Sequence, residues 1–259
     1  MSYKILVVSP LHNLGASTVS AMMAQAMAIN GKTSLLTFMQ PDAAIPTYLG
    51  IEGANDPTRS IMQVSKLIDT GALRDKDILD YTHIIQNNCY LLNVADPSLT
   101  TSDRLNLVSH VFAHSTTDVV IVDDSSDIDS RSISELITST DLTFVVINMS
   151  LTAAFHLKQW LNMTSLRDNP NLFILVNQYN EVVSDLRGFA KSIGMPANRV
   201  AKVHYNPWIQ KCTRNGHLRD VLPLAYDLDP RVAELRSDFN DIDRCLNSFI
   251  KQKLMKGVI

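Results

Sequence analysis

Gly15, Ser17 and Thr18 stand where an apolar strand turns into a helix, and that placement carries the first chemical signal in the chain. Lys4–Ser9 (KILVVS) reads as a short buried strand, Pro10 to Thr18 as a tight loop, and Thr18 to Asn30 as an amphipathic helix. A glycine-containing loop at a helix N-terminus aims backbone N–H groups and the positive end of the helix dipole at one point, which suits a phosphate. In the working pattern G-x-x-x-x-G-K-[ST], the lysine reaches the terminal phosphates and the hydroxyl holds magnesium. Gly15 and Ser17 fit that pattern, but position 16 is Ala16. The loop has the shape and lacks the charge. Its candidate ligand contacts are Asn13, Gly15, Ala16, Ser17 and Thr18. The alternative is a G-A-S-T helix start with no ligand at all.

Other chemistry-bearing residues end later apolar runs. Asp123 closes Asp118–Asp123 (DVVIVD), and Asn177 closes a run from 172 to 177. Open α/β sheets bind ligands beyond the C-terminal ends of their strands, so both are candidates. Each has a plainer reading, Asp123 as the cap of the next helix beside Asp127 or Ser130, Asn177 as a turn residue. His12 offers a replacement cation in the loop or is a surface residue. Trp160 and Trp208 read as packing groups.

These residues need a scaffold, and the chain alternates strand and helix signals throughout. Strands are expected at 4–9, 33–39, 118–123, 142–148, 172–177 and 199–204, with a pair at Thr82–Ile85 and Tyr90–Val94. Helices are expected at 18–30, 58–69, 75–80, 102–115, 130–139, 152–166, 182–193 and 228–254. Right-handed βαβ units then give an α/β fold, a doubly wound and mostly parallel sheet flanked by helices, with 4–9 central beside 118–123.

Composition bounds the rest. A chain of 259 residues, 46% hydrophobic and 19% charged, supplies a sizeable core and suits one domain, 1–259. A net charge of -3 creates no global basic field, so nucleic acid is not an expected partner. Cys89, Cys212 and Cys245 are far apart and odd in number, which gives neither a metal spacing nor a disulfide framework. A reducing cytoplasm is the expected compartment. The N-terminal apolar run is too short for a signal peptide, and no apolar stretch nears the roughly 20 residues that span a bilayer.

The element order and these motifs resemble the ParA/MinD group of P-loop ATPases, especially the pilus-localisation branch called CpaE or TadZ, over nearly the whole chain. The family loop, K-G-G-x-G-K-[ST]-T, falls on Leu11 to Thr18, with Leu11 and Ala16 in place of its two lysines. A second motif, D-x-D-P, falls on Phe38-Met39-Gln40-Pro41 and lacks both aspartates. Thr47-Tyr48-Leu49-Gly50 is similar to the family's T-x-Y-L-G ending, and Asp118–Asp123 to its D-Y-x-x-x-D strand. Leu175–Tyr179 is similar to V-x-N-R-Y, and His204–Pro207 with Asn215-Gly216 to Y-D-P…N-x-G.

The resemblance implies ATP or ADP with Mg2+ as the ligand, bound weakly here. It implies Ser17 and Asp123 as magnesium holders, Asn177 as the reader of adenine, and Tyr205 and Pro207 as its cover. It further implies a homodimer whose sites face each other, with Leu11 and His12 at the interface, and a protein partner in a pilus, secretion or conjugation machine. Leu11 instead covering its own loop is the alternative. Cations placed on a transferring phosphoryl group are worth on the order of 10³ in rate, so no catalytic residue is assigned and the expectation is a non-hydrolysing scaffold. An active atypical ATPase, acting as a positioning switch, is the rival. The tail, Asn247 to Ile259, has three lysines among apolar residues; membrane contact at the inner face is conceivable, but packing of the last helix onto the sheet is favoured.

Overall fold

The computed structural model describes residues 2–40, 44–52, 59, 61–73, 78–93, 99–124, 130–163, 166–182 and 185–255. Its strands are β1 (Tyr3–Val8), β2 (Ser34–Phe38), β3 (His83–Gln86), β4 (Cys89–Leu91), β5 (Val119–Asp124), β6 (Leu142–Ile147), β7 (Leu172–Tyr179) and β8 (Val200–His204). Its α-helices are α1 (Ala16–Ile29), α2 (Ile45–Leu49), α3 (Ile61–Asp69), α4 (Thr101–His114), α5 (Ser130–Ser139), α6 (Leu151–Met163), α7 (Leu186–Ile193), α8 (Pro207–Arg214), α9 (Val221–Tyr226) and α10 (Ala233–Met255).

The strands form one eight-stranded sheet in the order β3-β4-β2-β5-β1-β6-β7-β8, parallel except for β3 against β4. Every residue of β2, β5 and β6 is buried, as uninterrupted β-branched and apolar runs require when helices cover both faces. β1 lies in the middle, with Val7 opposite Asp123 and Ile5 opposite Leu142. The chain winds outward from β1 on one side, returns through β5, and builds β6, β7 and β8 on the other. The C-terminal end of β1 is therefore the reversal point where such sheets bind ligands.

The expected α/β fold and the central pairing of the first strand with the Asp118–Asp123 strand are both present. Several details differ. The first helix begins at Ala16 and is buried nearly all round, not amphipathic: Val19, Met22, Met23, Ala24 and Met27 are at most 1% exposed. The reason is tertiary, because α2, α9 and α10 pack over the side turned away from the sheet. Its alanines permit close approach, and its methionines fill the irregular gaps. The helix expected at 75–80 is a 3-10 turn over Ile78–Tyr81, with 74–77 outside the described residues. The long C-terminal helix starts at Ala233 and not at 228, because Leu228 takes the left-handed conformation (φ 63) that ends α9. Three short helices, α2, α8 and α9, were not foreseen.

The final helix packs inward. Ile242 and Leu246 are fully buried, and Phe249 and Ile250 are half-buried against the core, as the favoured reading of this segment required. Residues 256–259 of the tail lie outside the described residues. No helix among the described residues is long and apolar enough to cross a membrane.

Candidate functional site

β1 delivers the chain into residues 9–15, and Gly15 becomes the N-cap of α1 in the left-handed region (φ 85, ψ 22). No side chain caps this helix, and its first turn holds no acidic residue. Its leading N–H groups therefore face the loop with no acidic side chain of the helix's own first turn beside them. Asn13 is also left-handed (φ 61), and the Ser9 hydroxyl donates to the Leu11 carbonyl at 2.7 Å. The loop is a built bend, not a slack connection.

Two adjoining cavities open at this helix end. The smaller, about 200 Å³, is lined by the loop from Leu11 to Thr18 together with Ser9, Gln40, Ala44 and Tyr48. The larger, about 410 Å³, lies among α1, the end of β7 and α8, where Asn177, Gln178, Tyr205, Asn206, Gln210 and Arg214 face it. Asn13, Gly15, Thr18 and Tyr48 line both. Among the described residues, no lysine, arginine, aspartate or glutamate lines the smaller cavity, and Arg214 alone of these types lines the larger. His12 and Leu11 border the smaller cavity, His12 exposed and Leu11 half-buried against the core.

Ser17 and Asp123 meet beneath the loop. Ser17 Oγ donates to Asp123 Oδ2 at 2.7 Å, and Ser20 Oγ lies 3.1 Å from the other carboxylate oxygen. Asp123 is 1% exposed, so burial would penalise its charge were these hydroxyls not in place. A hydroxyl and a carboxylate are oxygen donors of the kind magnesium takes, and these two residues fit that ion. They would supply hard ligands, and no lysine or arginine among the described residues lines the same cavity.

Phe38 and Met39, at the end of β2, belong to the core. Phe38 pairs in register with Asp123 and is fully buried, and Met39 is 3% exposed. The Phe38 benzyl group fills the space between sheet and helices. Ala16 is 3% exposed at the first turn of α1. A methyl there can neither reach across the smaller cavity nor carry charge into it.

The larger cavity draws together residues far apart in sequence. Asn177 lies two residues before the end of β7 and donates from Nδ2 to the Leu14 carbonyl at 2.8 Å. Gln178 is left-handed (φ 56), and the register between β7 and β8 slips between Val176 and Tyr179. Such a bulge re-aims a strand end, here over the loop. Tyr205 lines the cavity at 46% exposure. Pro207 opens α8 as its first helical residue, where its missing N–H costs nothing, and Asn206 caps that helix by accepting from Trp208 N at 2.8 Å. His204, another lining residue, places Nδ1 2.9 Å from Asp238 and Nε2 3.2 Å from Glu181. Burial raises the Asp238 carboxyl, whereas the hydrogen bond from Lys202 lowers that of Glu181.

Two turn glycines lock the outer wall. A Cβ on Gly50 (φ 61) would lie 2.2 Å from the Gly216 carbonyl, so the turns after α2 and α8 touch backbone to backbone. That contact seats Tyr48 against both cavities. The sequence reading named both turns but missed the cavity-facing side of α8, formed by Ile209, Gln210, Thr213 and Arg214. The Asn206-Pro207 pair, a capping residue followed by proline at the first helical position, is the signal that would have revealed this helix. Among the described residues, no cluster of three or more His, Cys, Asp or Glu could hold a metal.

No protein-family model matches the sequence, and no curated protein matches it. Solved structures do match. A ParA family ATPase from Chlorobium tepidum TLS gives a TM-score of 0.71 at 19% identity, over 95% of this chain and 99% of that one. The septum site-determining protein MinD from Pyrococcus horikoshii OT3, complexed with Mg-ADP, gives 0.68 at 16% identity, over 92% and 94%. MinD in the MinC:MinD cell division complex of Aquifex aeolicus gives 0.70 at 15% identity, over 95% and 96%. The chain thus has the fold of the ParA/MinD P-loop NTPases, an eight-stranded, mostly parallel sheet flanked by helices.

Proposed function

We propose that this protein is a degenerate ParA/MinD-type scaffold, near the CpaE/TadZ branch, that positions or assembles a partner without hydrolysing ATP. The observation that carries this reading is the smaller cavity, whose described lining holds no lysine, arginine, aspartate or glutamate, with Leu11 and Ala16 where the family resemblance would place two lysines and Phe38 buried in the core. Three positions with separate tasks have changed together. That pattern fits a lost chemical step better than one substituted residue.

Ligand binding is a separate matter from turnover. The α1 N-terminus, the Ser17–Asp123 pair and the larger cavity suit ATP or ADP with Mg2+, held weakly for want of the lysines. Asn177 and Tyr205 would meet the base, whereas Pro207, the first residue of α8, lines neither cavity. The P. horikoshii MinD structure holds Mg-ADP, which supports this assignment of the cavity. The A. aeolicus MinD is seen with MinC, which supports a protein partner for this chain, in a pilus, secretion or conjugation machine.

The same reading makes the protein a homodimer through the loop face, with Leu11 and His12 at the contact. Sedimentation velocity with and without Mg-ATP tests it. A dimer independent of nucleotide and weakened by Leu11→Asp is expected; a monomer at high micromolar concentration contradicts it. One observation favours the rival of an atypical ATPase: His12 borders the smaller cavity and could supply a cation there.

A further inference from the structure

Asn177 stands at the seam of the two cavities, and its side chain is committed to the loop. Its Nδ2 lies 2.8 Å from the Leu14 carbonyl, and the two residues are 163 apart in sequence. A carbonyl only accepts, so the amino group must face Leu14 and Oδ1 must be turned elsewhere. The contact is close as well as polar. A Cβ on Gly15 would lie 2.4 Å from the same Nδ2, so the missing side chain of the left-handed Gly15 is what lets the amide approach. Asn177 is itself held firmly. It is 9% exposed and sits in the β7 bulge made by the left-handed Gln178. A buried, hydrogen-bonded side chain on a strand end is a rigid anchor for a loop that has lost its lysines.

We infer that Asn177 is a positioning residue of the anion loop: it holds residues 13–15 in their bend with no phosphate present. Because the amide also lines the larger cavity, a base edge that engages it stiffens the loop, so the two cavities are coupled through one side chain. The coupling rests on the larger cavity being a base pocket; the anchoring does not. The ligand class is one whose base carries a neighbouring donor and acceptor to match the amide.

Hydrogen exchange of the full chain, read on peptides covering 9–18, tests both parts. Asn177→Asp keeps the shape but places a carboxylate against the Leu14 carbonyl. Loop exchange at least 10-fold faster than wild type, with the β1 and β5 peptides unchanged, is expected without ligand. Should that variant unfold, Asn177→Ala carries the same comparison. Adenosine, which has no phosphate, is the probe for coupling. It should slow loop exchange in wild type but not in Asn177→Ala, at concentrations that protect 203–214 in both. Loop exchange within twofold of wild type in both variants overturns the anchoring. Loop protection by adenosine that survives Asn177→Ala overturns the coupling alone. Adenosine that protects neither segment in wild type overturns the base-pocket reading, and the coupling with it, while a loosened loop in Asn177→Asp would still support the anchor.

Discussion

Gly50→Ala tests whether the outer wall of the site depends on a backbone junction. Gly50 has φ 61, and an added Cβ meets the Gly216 carbonyl at 2.2 Å. Two costs follow. A left-handed alanine costs about 1 kcal/mol. Forcing two backbones apart by about 1 Å is an overpacking event worth roughly 1–3 kcal/mol. The sum, about 2–4 kcal/mol, corresponds to a loss of roughly 5–15 °C in Tm for a chain of this size. Gly71 supplies the control, because it has φ 64 and no atom of the described residues within 4 Å of an added Cβ. Gly71→Ala should show the conformational cost alone, about 1 kcal/mol or roughly 2–4 °C. Thermal unfolding by circular dichroism compares the two. If Gly50→Ala melts within 2 °C of Gly71→Ala, on the order of the assay's resolution, the two turns are not in the contact described and the seating of Tyr48 needs another explanation.

Further expectations concern single residues. Leu228 is left-handed (φ 63) and 62% exposed, so Leu228→Gly should raise stability. The gain should be about 0.5–1 kcal/mol, read as a higher Tm, because a strained backbone is relieved and little packing is lost. Asp229 is held at about 2, below its usual 3.8, mainly by the hydrogen bond from the Arg231 side chain. A depressed acid contributes stability above its unfolded value and loses it as pH falls through the folded one. Stability should therefore drop from pH 3.8 toward about 2, and Asp229→Asn should flatten that part of the profile. Ala16→Lys alone should not produce ATP turnover in a phosphate-release assay, because a buried Phe38 cannot orient water as an aspartate at that position would.

The sheet was legible because its strands are buried on both faces, and uninterrupted runs such as Val119–Val122 can be little else. The meeting of Ser17 with Asp123 was legible through motif order, since a strand end and a helix start in adjacent βα units converge at one edge. The anchoring of Leu14 by Asn177 was not, because a bulge set by one left-handed glutamine leaves no periodic trace. Helix α1 was misread as amphipathic because single-helix periodicity cannot register α10, more than 200 residues later in the chain, closing over its outer side. The helix α8 is too short for periodicity to declare it, so the cavity side with Gln210 and Arg214 went unnoticed. Phe38 was read through the family resemblance as standing at an aspartate position, and its place in the core, paired with Asp123, was not foreseen.

The most direct measurement is phosphate release from Mg-ATP by the purified full chain over hours, with Ser17→Ala and Asp123→Ala prepared in parallel. A loop cavity with no lysine or arginine in its described lining and a buried Phe38 predict that all three proteins release phosphate at the buffer background. Release by the wild type above that background, abolished in either variant, would mean that this site turns over nucleotide without its lysines, contrary to the scaffold reading.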